Sequence, residues 1–354
     1  MNASLAGALR APALIPIMAV IAAFAVGLAL IALTGASVDK AVSGFIEGAF
    51  RSSYAISVSL NRTTIYALVG FGFILAARVG LTNVGGEGQT AMGGIAATAA
   101  ALHGGVAWLP LGLAFILPMI AAAVAGGLWG GIAGVLKVRT GTNEVISTLL
   151  LSFIAIWMVY WCVQSNDLLR QPMSSAATLP ESPEIAAATQ LPLLTGSYAS
   201  PVTLGAPIAL VLGVLVWVAL TRSAFGFRLS LAGFNPLAAA RAGAPTDRMT
   251  VLALMIAGAL VGLAGSMMLQ GEQYSLKAGF SSGYGFDGLV AGLLARGSAP
   301  GVIAGALLFG FLRSGGITME MAASVPTALV QIVQGLIVVS VAGAALWMNR
   351  RAAR

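Results

Sequence analysis

Residues 80–89, Gly80-Leu81-Thr82-Asn83-Val84-Gly85-Gly86-Glu87-Gly88-Gln89, interrupt long apolar sequence with a glycine cluster, two amides and a carboxylate. Residues 279–288, GFSSGYGFDG, do the same, so that Gly85-x-Glu87-Gly88 is echoed by Gly285-x-Asp287-Gly288. An ionised side chain in hydrocarbon costs about 3 kcal/mol on insertion scales, so it belongs in a bundle interior or along a water-filled path. Glycine-broken apolar segments in corresponding positions of two halves point to a transport site built from discontinuous helices. Either segment alone also reads as a tight connecting turn with a solvated acid.

Composition sets the surroundings of these breaks. Charged residues make up 8% of the 354 and hydrophobic ones 58%, against about 25% charged in a soluble domain, so the chain reads as an all-α, polytopic membrane helix bundle. Its apolar stretches are continuous, which excludes the alternating strands of a membrane β-barrel. The 45 glycines suit close helix–helix contact in lipid. A net charge of +7 carried at segment ends does not indicate nucleic acid. With one histidine, His103, and one cysteine, Cys162, no metal or haem site is expected. The chain has no GxxxxGK[ST] loop, so ATP hydrolysis is not expected of it.

About 20 apolar residues cross the hydrocarbon. Residues 12–34, 64–79, 107–136, 143–164, 204–221, 249–270 and 325–347 meet that requirement or nearly so, and 12–34 reads as a retained span rather than a cleaved signal. Adding three short or broken helices, 87–102, 286–295 and 299–314, gives about ten spans in one transmembrane domain over residues 1–354. Basic residues then orient the bundle with both termini inside. Arg10, Arg78, Lys137, Arg139, Arg222, Arg228, Arg241, Arg248, Arg296, Arg350, Arg351 and Arg354 lie at inner ends, while Lys40, Arg51, Arg62, Arg170, Lys277 and Arg313 lie at outer ends. Residues 165–203, rich in Pro, Ser and Thr, form an outer loop that is either passive or a docking surface for a soluble partner. Residues 222–248 form an inner loop. Within it 235–243 is a complete helix signal: Asn235 to cap, Pro236 at the first position, Ala238 and Ala239 to propagate, Arg241, and Gly243 to stop. Such a helix rests either on headgroups or in a groove of a partner.

Four segments carry a resemblance: 76–89 (AARVGLTNVGGEGQ), 142–150 (TNEVISTLL), 233–243 (GFNPLAAARAG) and 285–288 (GFDG). On these the chain resembles the inner-membrane permeases of ABC importers of the ribose and branched-chain amino acid type, and is most similar to the nucleoside-import (Bmp-associated) branch. The resemblance implies a bacterial inner-membrane assembly of an ATPase binding ATP and Mg, a second homologous permease and an extracytoplasmic binding protein. It implies no cofactor in this chain, and makes Gly233, Asn235, Pro236, Ala238, Ala239, Arg241 and Gly243 a coupling helix. Asn83, Glu87, Gln89, Ser147 and Asp287 are the candidates for the substrate path. For Glu87 and Asp287 a helix-capping role competes, because acids stabilise helix N-termini. Asn143 and Glu144 are expected to cap the helix they open and to pair with Lys137 and Arg139. Tyr66, Phe71, Phe73 and Trp157 could stack a base, though packing is their commoner use. Amides at the first break, and the expectation of no arginine inside a span, favour a small, neutral, polar substrate. A ribose-type or branched-chain amino acid importer, or a secondary transporter, is the alternative.

Overall fold

The computed structural model describes residues 18, 21–109, 112–172 and 179–325, with scattered positions from 329 to 343. Most of the expected last span 325–347, the first part of 12–34 and the basic residues Arg10, Arg350, Arg351 and Arg354 lie outside the described residues, so the expected sidedness of the termini does too. Among the described residues there are helices but no strands, and two isolated bridges. In order they are α1 (Ile21–Leu33), α2 (Val38–Ala49), α3 (Ser53–Ala77), α4 (Gly86–His103), α5 (Ile116–Thr140), α6 (Glu144–Gln164), α7 (Gly205–Arg222), α8 (Ala224–Phe234), α9 (Pro236–Arg241), α10 (Thr246–Met268), α11 (Tyr284–Leu294) and α12 (Ala299–Ala323). Six of them are long and apolar enough to cross a membrane: α3, α5, α6, α7, α12, and α10 with the turn that extends it to Gln273.

Several boundaries differ from the sequence expectation, each for a physical reason. The span expected at 64–79 starts at Ser53, because the serines, Asn61 and Arg62 that lowered its apparent hydropathy are helical and partly enclosed. Arg62 and Arg313 consequently sit inside long helices rather than at outer ends. The expected short helix 299–314 continues to Ala323, Glu320 included. The expected span 107–136 starts only at Ile116, since Gly105 and Gly112 adopt positive φ and break the chain before it. Helix α2, too amphipathic to register as a span, was not anticipated; Ser37 caps it by accepting from Lys40 N. The split at Arg296–Ser298 is present, with Arg296 (φ 51°) and Gly297 (φ 80°) turning α11 into α12.

Two compact units can be distinguished, Met1–Ser59 with Phe311–Arg354, and Leu60–Gly310. In the first, Ile31, Ala41, Met319 and Val325 form a buried cluster, and Phe50 stacks on Phe311 at 4.9 Å. In the second, α5 and α10 are antiparallel neighbours built on facing glycines. A side chain at Gly126 would meet Gly258 and Gly262, and one at Gly130 would meet Leu254 O. Close approach of this kind replaces the missing hydrophobic drive between helices in lipid with backbone-level van der Waals contact. Gly262 also packs against Gly93 of α4.

The α-helical ladder of α10 widens into a π-turn at Leu269–Gln273. There Gln270, fully buried, donates from Nε2 to Phe115 O (3.0 Å) and Thr189 O (2.6 Å), and its Oε1 accepts from Ser266. The loop expected to lie outside, either passively or as a docking surface, is stitched to this turn and to the residues that follow it. Leu191 N donates to Gln270 O, Ile185 N to Tyr274 O and Ser182 N to Leu276 O.

Candidate functional site

After α3 ends, residues 81–84 run extended beside the first turns of α6. Glu144, Thr148 and Ser152 recur every four residues and so share a face of α6. They receive Thr82 N at 3.4 Å, Val84 N at 3.2 Å and Gly88 N at 3.2 Å respectively. Eight residues of α6 separate Glu144 from Ser152, so Gly88 in the first turn of α4 lies about 12 Å inward from the end of α6. The anchoring carboxylate is itself held: Asn143 Oδ1 accepts from Val145 N (2.8 Å), and Glu144 pairs with Lys137 at 2.6 Å. The capping and pairing expected there are present, with Lys137 as the base.

The buried amides at this break satisfy each other. Asn83 Nδ2 donates to Gln89 Oε1 (3.0 Å), Gln89 Nε2 donates to Asn83 Oδ1 (3.2 Å), and Asn83 Oδ1 also accepts from Gly85 N (3.0 Å). Both residues are nearly inaccessible. Because an unpaired buried amide costs about 1–3 kcal/mol, the pairing fixes the geometry of the break.

The two breaks meet. Gly283, at φ +83°, has no side chain with which to cap α11. The cap comes from Glu87 instead: Oε1 accepts from Gly283 N at 2.8 Å and Oε2 from Gly285 N at 2.9 Å. The backbones touch at the same point, since a Cβ on Gly86 would stand 2.7 Å from Gly285 O. Helix α11 runs alongside α3 in the same direction, with Asp287 at Tyr66, Gly288 at Val69 and Gly292 at Phe73. Helix α4 runs with α6. The two short helices therefore start from one place and diverge, with their positive dipole ends converging on a single carboxylate that is 3% exposed. Glu87 thus caps the helix of the other break.

Above this junction lies a polar and aromatic cluster. Tyr66 and Tyr284 stack at 5.0 Å, Tyr66 Oη is 3.4 Å from Asp287 Oδ2, and Arg62 pairs with Glu272 at 2.6 Å. Asp287 is half-buried. The expectation of no arginine inside a span is thus corrected: Arg62 in α3 and Arg313 in α12 both are, and Glu272 on the π-turn engages the charge of Arg62. Among the aromatic candidates Tyr66, Phe71 and Phe73 are buried, whereas Trp157 is 69% exposed. Among the described residues the Ser147 hydroxyl bonds only within its own helix, to Glu144 O. Its neighbours Thr148 and Ser152 reach the break, and the signal for them was their four-residue spacing from Glu144.

The coupling-helix candidates form a separate site. Asn235 Oδ1 accepts from Ala238 N (3.0 Å), Pro236 opens α9, and Gly243 (φ +80°) ends it, so the helix proper is Pro236–Arg241. It follows an unforeseen helix, α8, itself capped by Ser223. Phe234 (89%) and Leu237 (74%) are exposed. Gly233 lies directly on the backbone of Arg78 and Val79, where the first break begins.

Residues 55–342 match the family described as the permease component of branched-chain amino acid transport systems. The chain is 34% identical to the guanosine ABC transporter permease protein NupP of Bacillus subtilis (strain 168), over 93% of this chain and 92% of that protein. It is 34% identical to the glucose ABC transporter permease protein TsgB13 of Haloferax volcanii, over 91% and 85%. With the nucleoside ABC transporter permease protein NupB of Lactococcus lactis subsp. cremoris it shares 28%, over 93% and 90%. No solved structure matches the chain. A match spanning most of the sequence, on a helical bundle whose two broken segments join inside it, makes this chain a member of the branched-chain amino acid transport permease family, a multi-pass membrane permease and not an enzyme.

Proposed function

We propose that this chain is the permease subunit of an ATP-driven importer of nucleosides in a bacterial inner membrane. The observation that carries the reading is the likeness to the guanosine and nucleoside permeases over more than nine-tenths of the chain. The importer pairs this permease with a second one, an ATPase that binds ATP and Mg, and an extracytoplasmic binding protein. Asn83, Glu87, Gln89, Ser147 and Asp287 frame the substrate path. Glu87 holds the two half-helices, and the half-buried Asp287 stands nearest the path. A neutral, hydroxyl-rich substrate suits a junction whose arginine is already paired. The chain itself needs no cofactor.

Helix α9 is the coupling element. The exposed Leu237 on α9 and Phe234 at the end of α8 give an ATPase groove something apolar to grip, and the contact of Gly233 in α8 with Arg78 and Val79 carries displacement to the first break. Uptake of labelled nucleosides, glucose, ribose and leucine by cells expressing the full complex tests the substrate, with the deletion strain as control. Nucleoside uptake is expected; uptake of the others without nucleosides refutes the substrate and leaves the permease. A sugar is the second reading, because the glucose permease relative is as similar as the guanosine one.

A further inference from the structure

We infer that the groove between α5 and α10 binds an anionic phospholipid, with its phosphate at Arg139 and Arg248 and an acyl chain along the apolar floor. Two cavities that share Leu252 make the groove. One, of about 420 Å³, lies between Val135, Val138 and Val251 and opens at Arg139, Asp247 and Arg248. The other, of about 330 Å³, continues along the same two helices past Leu128 and Met255 to Val124 and Ala259. From Arg139 back to Val124 the groove follows about 22 Å of α5 at 1.5 Å per residue. Half of a ~30 Å hydrocarbon core is about 15 Å, so one leaflet's acyl chain fits with room for its headgroup.

The mouth is charged for such a ligand. Two arginines face one aspartate, and among the described residues neither arginine has an ion pair with an acid; the nearby Lys137 is engaged by Glu144. Both arginines are exposed. Helix α10 starts at the same mouth without a side-chain cap, adding the positive end of its dipole. The floor is apolar throughout, with Val124, Leu128, Leu252 and Ile256 exposed on it. A basic rim over an apolar slot between membrane helices is the chemistry that recognises anionic headgroups. This site is independent of the transported substrate.

The test uses the full chain purified in mild detergent, with retained lipid counted by native mass spectrometry after adding dioleoyl-phosphatidylglycerol or dioleoyl-phosphatidylcholine. Wild type should retain phosphatidylglycerol preferentially, by on the order of tenfold, and the preference should shrink as salt rises. Arg139→Ala with Arg248→Ala should remove the preference, and Arg139→Lys with Arg248→Lys should keep most of it. Ala259→Phe, which fills the floor, should lower retention of both lipids. Equal retention of the two lipids by wild type overturns the assignment, as does an undiminished preference in the double alanine variant or undiminished retention after Ala259→Phe. Expulsion of the lipid when the partner permease binds would reassign the face to a protein interface and overturn it as well.

Discussion

Replacing Glu87 is the sharpest probe of the junction. In Glu87→Ala, the backbone N–H groups of Gly283 and Gly285 lose their acceptors, at 2.8 and 2.9 Å. A buried donor left unsatisfied costs about 1–3 kcal/mol, and bonds to an ionised acceptor lie at the upper end, so the change should destabilise the chain by about 3–5 kcal/mol. The carboxylate also loses its favourable place at two converging helix N-termini, about 0.3–1 kcal/mol each. Glu87→Gln retains one acceptor oxygen but turns an NH2 toward the other N–H, so its cost should fall between, at about 1–3 kcal/mol. Equilibrium unfolding of the purified chain in detergent reads these numbers, and transport per folded molecule is measured beside them. The ranking Ala, then Gln, then wild type is required. If Glu87→Ala unfolds within about 0.5 kcal/mol of wild type, the carboxylate does not hold the two half-helices and the reasoning fails.

Other expectations follow from the same geometry. Asn83→Ala strips Gly85 N and Gln89 of a partner and should cost about 1–3 kcal/mol, with Gln89→Ala adding little in the double variant; additive losses in that cycle would refute the pairing. Arg62→Ala leaves Glu272 facing an enclosed region alone and should destabilise more than Arg62→Ala with Glu272→Ala together, judged by thermal unfolding. Gly93→Leu drives a side chain into the backbone of Gly262 and should cost at least about 1–3 kcal/mol; a neutral result would mean that α4 and α10 stand further apart. Asn235→Ala with Pro236→Ala should lower substrate uptake while membrane insertion persists, and a cysteine at Ala238 should crosslink to the ATPase in the assembled complex. Failure of every position from 235 to 242 to crosslink would refute the coupling role.

The helical class and most helix ends were legible because they rest on local chemistry. Asn143, Asn235 with Pro236, and Gly243 signal starts and stops within a few residues, and the structure has them at those places. Other features depend on contacts far apart in sequence. Nothing local announces that Glu87 caps a helix 196 positions away, so its role stayed open between two readings. Polar residues misled for the same reason. Arg62 and Asn61 looked like loop because their partners, Glu272, Pro201 and Thr203, come from other elements. The Glu144–Thr148–Ser152 face could have been read from its spacing alone, had the extended break been expected beside it.

Gln270 joins α10, the approach to α5 and the loop at residues 179–203 through one side chain. That loop is the natural place to insert an epitope tag or graft a reporter, being irregular, proline-rich and far along the chain from the glycine breaks. Its backbone, however, is tied to the widened turn of α10 at Leu191 and to the segment just after that turn at Ser182 and Ile185. A reporter inserted there would pull on the same helix that packs against α4 and α5 through bare backbone. An antibody or binding protein that grips the loop therefore also grips the bundle, and a silent insertion has to be sought elsewhere.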